Sequence, residues 1–233
     1  MTFLESYSLE NKDLKVEETF KTHNEKIKQL LSDLCTNDKD TDACYQLGFF
    51  LQTRYRLYKE ALKLYEENCL NQEHAESCTA AGALYYTGLA SKTDKEKGVA
   101  FFLKGCNYGD GNGCNNAGKA YKLGTLPKIG VDGKKAETFL KKSCENFHCG
   151  LGCHNLSTLY LTGIQSNILE NDIQKNFSEA FKYAALACDL GIVKSCINAS
   201  RMLYLGEGVE KDLKKSGEYR KRAYELHTLL KKF

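Results

Sequence analysis

Residues 143 to 153 read SCENFHCGLGC, which places Cys144, Cys149 and Cys153 within ten residues and sets His148 and His154 beside them. Three chemistries use such residues. Cys144, Cys149, Cys153 and His154 form a three-sulfur, one-nitrogen set that zinc accepts. A thiolate beside an imidazole can be a redox centre. A structural disulfide with one spare thiol, Cys149, has the same composition. The chain contains no C-x-x-C, so thiol-disulfide exchange would have to use an exposed staple or the spare thiol. Haem would need an axial ligand, for which His74, His148, His154, Met202 and His227 qualify by residue type alone. No residue is assigned a catalytic role and none a metal.

The other cysteines decide among these readings. Ten of the eleven form five pairs: Cys35 with Cys44, Cys69 with Cys78, Cys106 with Cys114, Cys144 with Cys153, and Cys188 with Cys196, at separations of 9, 9, 8, 9 and 8. First members follow one another by 34, 37, 38 and 44 residues, the period of helix-turn-helix solenoids with loop insertions. Small residues recur four positions after each second cysteine, at Gly48, Gly82, Gly118, Ser157 and Ser200. That spacing puts cysteine and small residue on one helix face, and a glycine that costs about 1 kcal/mol in propensity there implies the close approach of another helix. Gly88, Gly124, Gly163 and Gly206, ten positions after the cysteine, predict left-handed C-caps. These are the A helices.

Counting back from each first cysteine gives the B helices, with Ile27, Ala61, Gly98, Ala136 and Ala180 at eight before and Leu31, Tyr65, Phe102, Leu140 and Ala184 at four before. A disulfide from the end of each B helix to the start of the next A helix would staple neighbouring repeats, leaving Cys149 as the free thiol. Each such closure is worth about 2.5 to 3 kcal/mol in the chain-entropy model. The expectation is an all-α solenoid of eleven helices in a right-handed superhelix. Residues 1–34 form an N-terminal segment and a capping helix from about Val16 to Cys35, and residues 35–233 form five repeats in one domain. In the last B helix, Leu226 is expected at the cysteine position, where no following repeat requires a staple. Tyr85, Tyr121, Tyr160 and Tyr204 recur near the ends of A helices and suit either partner binding or packing.

Composition excludes other classes. Thirty-three basic and thirty acidic residues give a formal charge of +3 without a block of Lys and Arg, which argues against nucleic acid. The first twenty residues lack the apolar core of a secretory signal, and the longest uncharged run, Cys149 to Leu169, is broken by polar side chains, so no membrane span is expected.

The turn GEGVEKD, with Gly206, Gly208, Val209 and Asp212, resembles the signature of Sel-1-like repeats, relatives of the tetratricopeptide repeats. Two cysteine-paired groups carry such repeats. One is a secreted bacterial group for which penicillin binding or hydrolysis has been proposed, and this chain has neither its signal nor an S-x-x-K motif. The other is the metazoan cytochrome c oxidase assembly factor 7 family, which NCLNQEHAESC, ACDLGIVKSCINASRMLYLGEGVEKD and RKRAYELH resemble closely. That resemblance implies a non-enzymatic scaffold in the mitochondrial intermembrane space, monomeric and imported by the oxidative route. Its partners would be cytochrome c oxidase subunits or copper or haem assembly factors. Haem binding and disulfide reduction are the alternative activities it implies. An intermembrane-space address also reconciles paired cysteines, which need an oxidising compartment, with the missing export signal.

Overall fold

The computed structural model describes residues 21–166 and 168–231, so Val16 to Phe20 of the expected capping helix lie outside the described residues. The described residues form eleven α-helices: α1 (21–36), α2 (Thr41–Phe50), α3 (Tyr58–Gln72), α4 (Ala75–Thr87), α5 (Lys95–Tyr108), α6 (Gly111–Lys122), α7 (Gly133–Lys141), α8 (Gly150–Thr162), α9 (Phe177–Asp189), α10 (Val193–Leu205) and α11 (Leu213–Leu230). Wider π-type turns continue α2 through Leu51–Tyr55 and α7 through Lys142–Asn146. No strand occurs among the described residues; one isolated β-bridge joins Ile164 and Ile173. The described residues fall into two compact units, the first ending at Gln72 and the second beginning at Glu73.

Side-chain caps start most helices. Asp94, Asp132, Asn176 and Asp212 accept from the amides of Lys97, Lys135, Glu179 and Lys215, opening α5, α7, α9 and α11, the B helices of the second unit. The A helices α2, α4 and α6 are opened by Asp40, His74 and Asp110. At their C-termini, Gly88 and Gly206 are left-handed caps (φ 75° and 77°). Gly163 departs from that expectation. Its φ is 66° but its ψ is −179°, because the chain turns out into the Ile164–Ile173 bridge and not into a cap. Gly124, at φ 60°, lies one residue beyond the cap Leu123. In the first unit no glycine closes the A helix, and Arg56 takes the left-handed conformation after the π turn.

The cap at Asp212 sets the register of α11. It places Ser216 at the position that Gly98, Ala136 and Ala180 hold in the preceding B helices, four residues after their caps. The cysteine position is then Tyr224, two residues before the expected Leu226, and it too lacks a cysteine.

The recurring small residues mark the crossing of A and B helices within a repeat. A Cβ on Gly48 would lie 2.6 Å from the Tyr65 ring. On Gly82 it would meet Phe102 at 2.7 Å and the Gly98 carbonyl at 2.8 Å, and on Gly118 it would meet Leu140 at 2.8 Å and the Ala136 carbonyl at 3.2 Å. Where the residue is serine, the hydroxyl bonds the same carbonyl: Ser157 Oγ donates to Ala180 O (2.7 Å) and Ser200 Oγ to Ser216 O (2.8 Å). Tyr85, Tyr121 and Tyr160 are buried at this crossing, stacked on Phe101, Phe139 and Tyr183 with centroids 5.6 to 5.8 Å apart. Packing therefore takes these three tyrosines, and only Tyr204, one position further along its helix, is exposed.

Turns lock successive repeats. A Cβ on Gly208 would fall 2.1 Å from the Phe177 backbone, so the GEGVEKD turn rests on the first residues of α9, while Val209 packs against the core around Tyr183. The longer turn after α8 does the same for α7. Ile164, Ile173 and Asn171 close over Gly133, whose amide donates to Ser166 Oγ (2.8 Å).

Gly82→Ala separates propensity from packing. Propensity alone would stabilise α4 by up to about 1 kcal/mol, whereas overpacking against the Gly98 carbonyl should cost about 1–3 kcal/mol. A lower urea midpoint is the expected result, and a higher one would mean that the helices do not approach this closely.

Candidate functional site

The cysteines occupy the junctions between B and A helices. Sulfur–sulfur distances are 2.12 Å for Cys35–Cys44, 1.97 Å for Cys106–Cys114, 2.10 Å for Cys144–Cys153 and 2.02 Å for Cys188–Cys196, with Cα separations of 4.4 to 4.6 Å. Cys69 and Cys78 are likewise disulfide-bonded. In the second unit the bonded sulfurs sit at zero exposure, so they form part of the core and join clusters such as Cys188, Cys196 and Ala223.

Cys149 carries a free thiol and is half-buried at the N-cap of α8. Its backbone amide donates to Ser143 O (3.0 Å), its thiol donates to Asn112 Oδ1 (3.6 Å), and its Cβ packs on Gly111. Cys144 and Cys153 are spent on each other, and His154 Nδ1 lies 2.7 Å from Ser195 Oγ, so the four zinc-type side chains of the opening motif do not converge. Among the described residues no group of three or more His, Cys, Asp or Glu is arranged to hold a metal. The other residues of haem-ligating type are dispersed. His74 caps α4 through Ser77, His148 sits in a turn at φ 48°, Met202 is buried in the core, and His227 lies in the last turn of α11.

A second set of polar side chains runs across the A helices. Asn155 Nδ2 on α8 donates to Asn115 Oδ1 on α6 (2.7 Å), and His154 on α8 meets Ser195 on α10, so three successive A helices lie side by side. Burial, followed by the nearby charges of Lys194 and Lys122, holds the His154 imidazole below its ordinary value of 6.5.

Sequence reasoning missed a partly buried tyrosine–carboxylate ladder between α7, α8 and α9. Tyr160 donates to Glu137 Oε1, and Tyr183 donates to Glu145 Oε1 at 2.5 Å. Burial acts to raise the Glu137 carboxyl, but hydrogen bonds from Lys141 (2.7 Å) and Tyr160 outweigh it, and the group sits below its usual range. Both phenols are pushed up, first by burial and then by these carboxylates. The partners are 23 and 38 residues apart, so no local pattern shows them.

Close A/B crossings, sulfur-stapled junctions between successive pairs and glycine-rich turns define a helical-repeat protein of the Sel1 class. The Sel1 repeat pattern matches residues 41–67, 75–110, 111–146, 150–192 and 193–227, and the chain belongs to the Sel1 repeat family. Its sequence is similar to cytochrome c oxidase assembly factor 7 of Xenopus tropicalis, at 33% identity over 222 residues, 93% of each chain. It is also similar to the protein of that description from Homo sapiens, at 33% over 220 residues and 92% of each chain. Its fold is similar to that of a Sel1 repeat protein from Oxalobacter formigenes, with a TM-score of 0.69, 16% identity, and coverage of 91% of this chain and 84% of that one.

Two outcomes check this geometry. In the oxidised protein, Cys149 should be the thiol that labels. Cys149→Ser should leave stability nearly unchanged, while Cys153→Ser should cost up to about 3 kcal/mol by opening its loop; equal costs would contradict the assignment. For His154, a depressed folded value means that the unfolded chain takes up a proton near pH 6.5 before the folded one does. The contribution is therefore complete above pH 6.5 and lost as pH falls below it. Urea midpoints should fall more between pH 7.5 and about 5.5 in the parent than in His154→Gln; a His154 NMR titration midpoint above 6.5 would oppose this.

Proposed function

We propose that this chain is a disulfide-stapled scaffold that assists the assembly of cytochrome c oxidase, working in the mitochondrial intermembrane space. The observation that carries the reading is end-to-end similarity, over 92–93% of both chains, to proteins named for that assembly. Physical chemistry supports the compartment, since disulfides at helix junctions need an oxidising environment to form and persist. A helical-repeat surface acts by holding partners, and the buried disulfides of the second unit are placed to stiffen such a surface. No described helix is long and apolar enough to cross a membrane, so partners would be met through side-chain surfaces.

One observation favours a second reading, thiol-disulfide exchange. Cys35–Cys44 in the first unit lines an open cavity of 230 Å³ with Thr36, Lys39, Leu64 and Asn68, whereas the other bonded cysteines have no exposure. Exchange needs access for an attacking thiolate, and this bond lies beside an open cavity.

Loss of the chain should lower assembled cytochrome c oxidase on native gels before other respiratory complexes fall, and fractionation should find the chain in the intermembrane space. Normal oxidase in its absence, or residence in another compartment, would overturn the proposal. Under limiting reductant, Cys35 and Cys44 should be the first of the bonded cysteines to alkylate, and a chain with both replaced by serine should lose any disulfide reductase activity. Activity that survives the double replacement would remove the second reading.

A further inference from the structure

Acidic side chains, but not basic ones, avoid three A helices of the second unit. The A helices α6, α8 and α10 contain no aspartate or glutamate, and their chargeable side chains are Lys119, Lys122, His154, Lys194 and Arg201. The B helices of the same unit mix both signs, with Glu96, Glu137, Glu179, Asp189, Glu218 and Glu225 among twelve Lys and Arg. Those acids are in large part answered by lysines of their own helices, as in Glu137–Lys141 and Glu179–Lys182. The cations of the A helices are not. Among the described residues Lys119, Lys122 and Lys194 make no ion pair, and Arg201 meets Glu207 (3.4 Å) in the turn that follows its own helix.

These charges share a surface because Asn155→Asn115 and His154···Ser195 hold the three helices side by side. Lys122 and His154 are half-buried, and burial alone holds the Lys122 ammonium below its ordinary range. A half-buried cation without a counter-ion is unfavourable in the empty protein and improves when a carboxylate arrives. A second recurrence points to what carries the carboxylates. Asn116, Asn155 and Asn198 stand two residues after the A-helix cysteine in three successive repeats, all half-buried. A carboxamide offers both a donor and an acceptor, the complement of a peptide backbone; Asn155 Nδ2 and Asn116 Oδ1 each already bond Asn115, and the second hydrogen or lone pair of each group, with Asn198, is what a backbone would use.

We propose that the A-helix face of α6, α8 and α10 is a docking surface for an acidic, extended segment of a partner protein. Its carboxylates meet Lys122, Lys194, Lys119 and Arg201, and its backbone meets the asparagine row. Charge complementarity selects this occupant. A nucleic acid is disfavoured because the face exposes a single aromatic, Tyr204, on which a base could stack. The proposal does not depend on the oxidase assignment.

The test uses the full oxidised chain and a fluorescent peptide of about ten glutamates, with a glutamine peptide of equal length as the neutral probe. Anisotropy should show binding of the glutamate peptide at low salt and none of the glutamine peptide. Lys122→Gln with Lys194→Gln should weaken it about three- to tenfold, as loss of two partly exposed charge contacts predicts, while Lys104→Gln with Lys214→Gln on B helices should not. Lys194→Gln with Arg201→Gln, both at exposed positions, repeats the test should Lys122→Gln disturb folding, which circular dichroism reports. Failure of the glutamate peptide to bind, equal losses in A-face and B-helix variants, or tighter binding of a single-stranded oligonucleotide of matched charge would each overturn the proposal.

Discussion

The disulfide between the end of a B helix and the start of the next A helix is the constraint on which the rest of this structure depends. A helix pair of this size buries little by itself, and a solenoid gains its core only when neighbouring pairs stack in fixed register. Fixing two Cα atoms 4.4 to 4.6 Å apart across an eight- or nine-residue junction sets that register through a local closure. The closure also removes freedom from the unfolded chain, worth about 2.5 to 3 kcal/mol per junction. Four or five such contributions are comparable with the whole net stability of an ordinary domain, about 5–15 kcal/mol.

With junctions fixed, the crossing inside each repeat can be tight. Glycine at positions 48, 82 and 118 admits a ring or carbonyl that any larger residue would displace, and serine at 157 and 200 converts the same approach into a hydrogen bond. Both solutions keep the buried carbonyl satisfied or shielded at short range, which explains why two chemically different residues serve one position. The close crossing buries the Tyr–Phe and Tyr–Tyr stacks. It also leaves α6, α8 and α10, which together carry Lys, Arg and His but no acid, side by side, so a surface capable of recognition follows from packing that has no functional requirement of its own.

How much of this is legible in the sequence follows the range of the interaction. The period, the cysteine pairs and the small residue four positions on are local and repeat five times, so they read directly as an A/B solenoid. The fate of Tyr85, Tyr121 and Tyr160 is open at that level because burial and exposure share the same helical spacing; the stacks on Phe101, Phe139 and Tyr183 settle it. An apolar pattern alone sets the register of the last helix two residues late, because it ignores the cap Asp212. The corresponding caps, Asp94, Asp132 and Asn176, recur twelve residues before the B-helix cysteines and carry the correct register. Tyr160–Glu137, Tyr183–Glu145 and His154–Ser195 join residues 23 to 41 apart, and only the assembled repeats bring them together.

Amide hydrogen exchange read by mass spectrometry, comparing the oxidised chain with the same chain fully reduced and alkylated, tests the stapling claim most directly. If the sulfur bonds set the register, protection in the oxidised chain extends across α4 to α11. Reduction then removes it throughout, with peptides spanning Cys106–Cys114 and Cys188–Cys196 losing it as early as any other. A reduced chain that keeps the oxidised pattern of protection would contradict the claim, because its helices would then hold their register without the sulfur bonds.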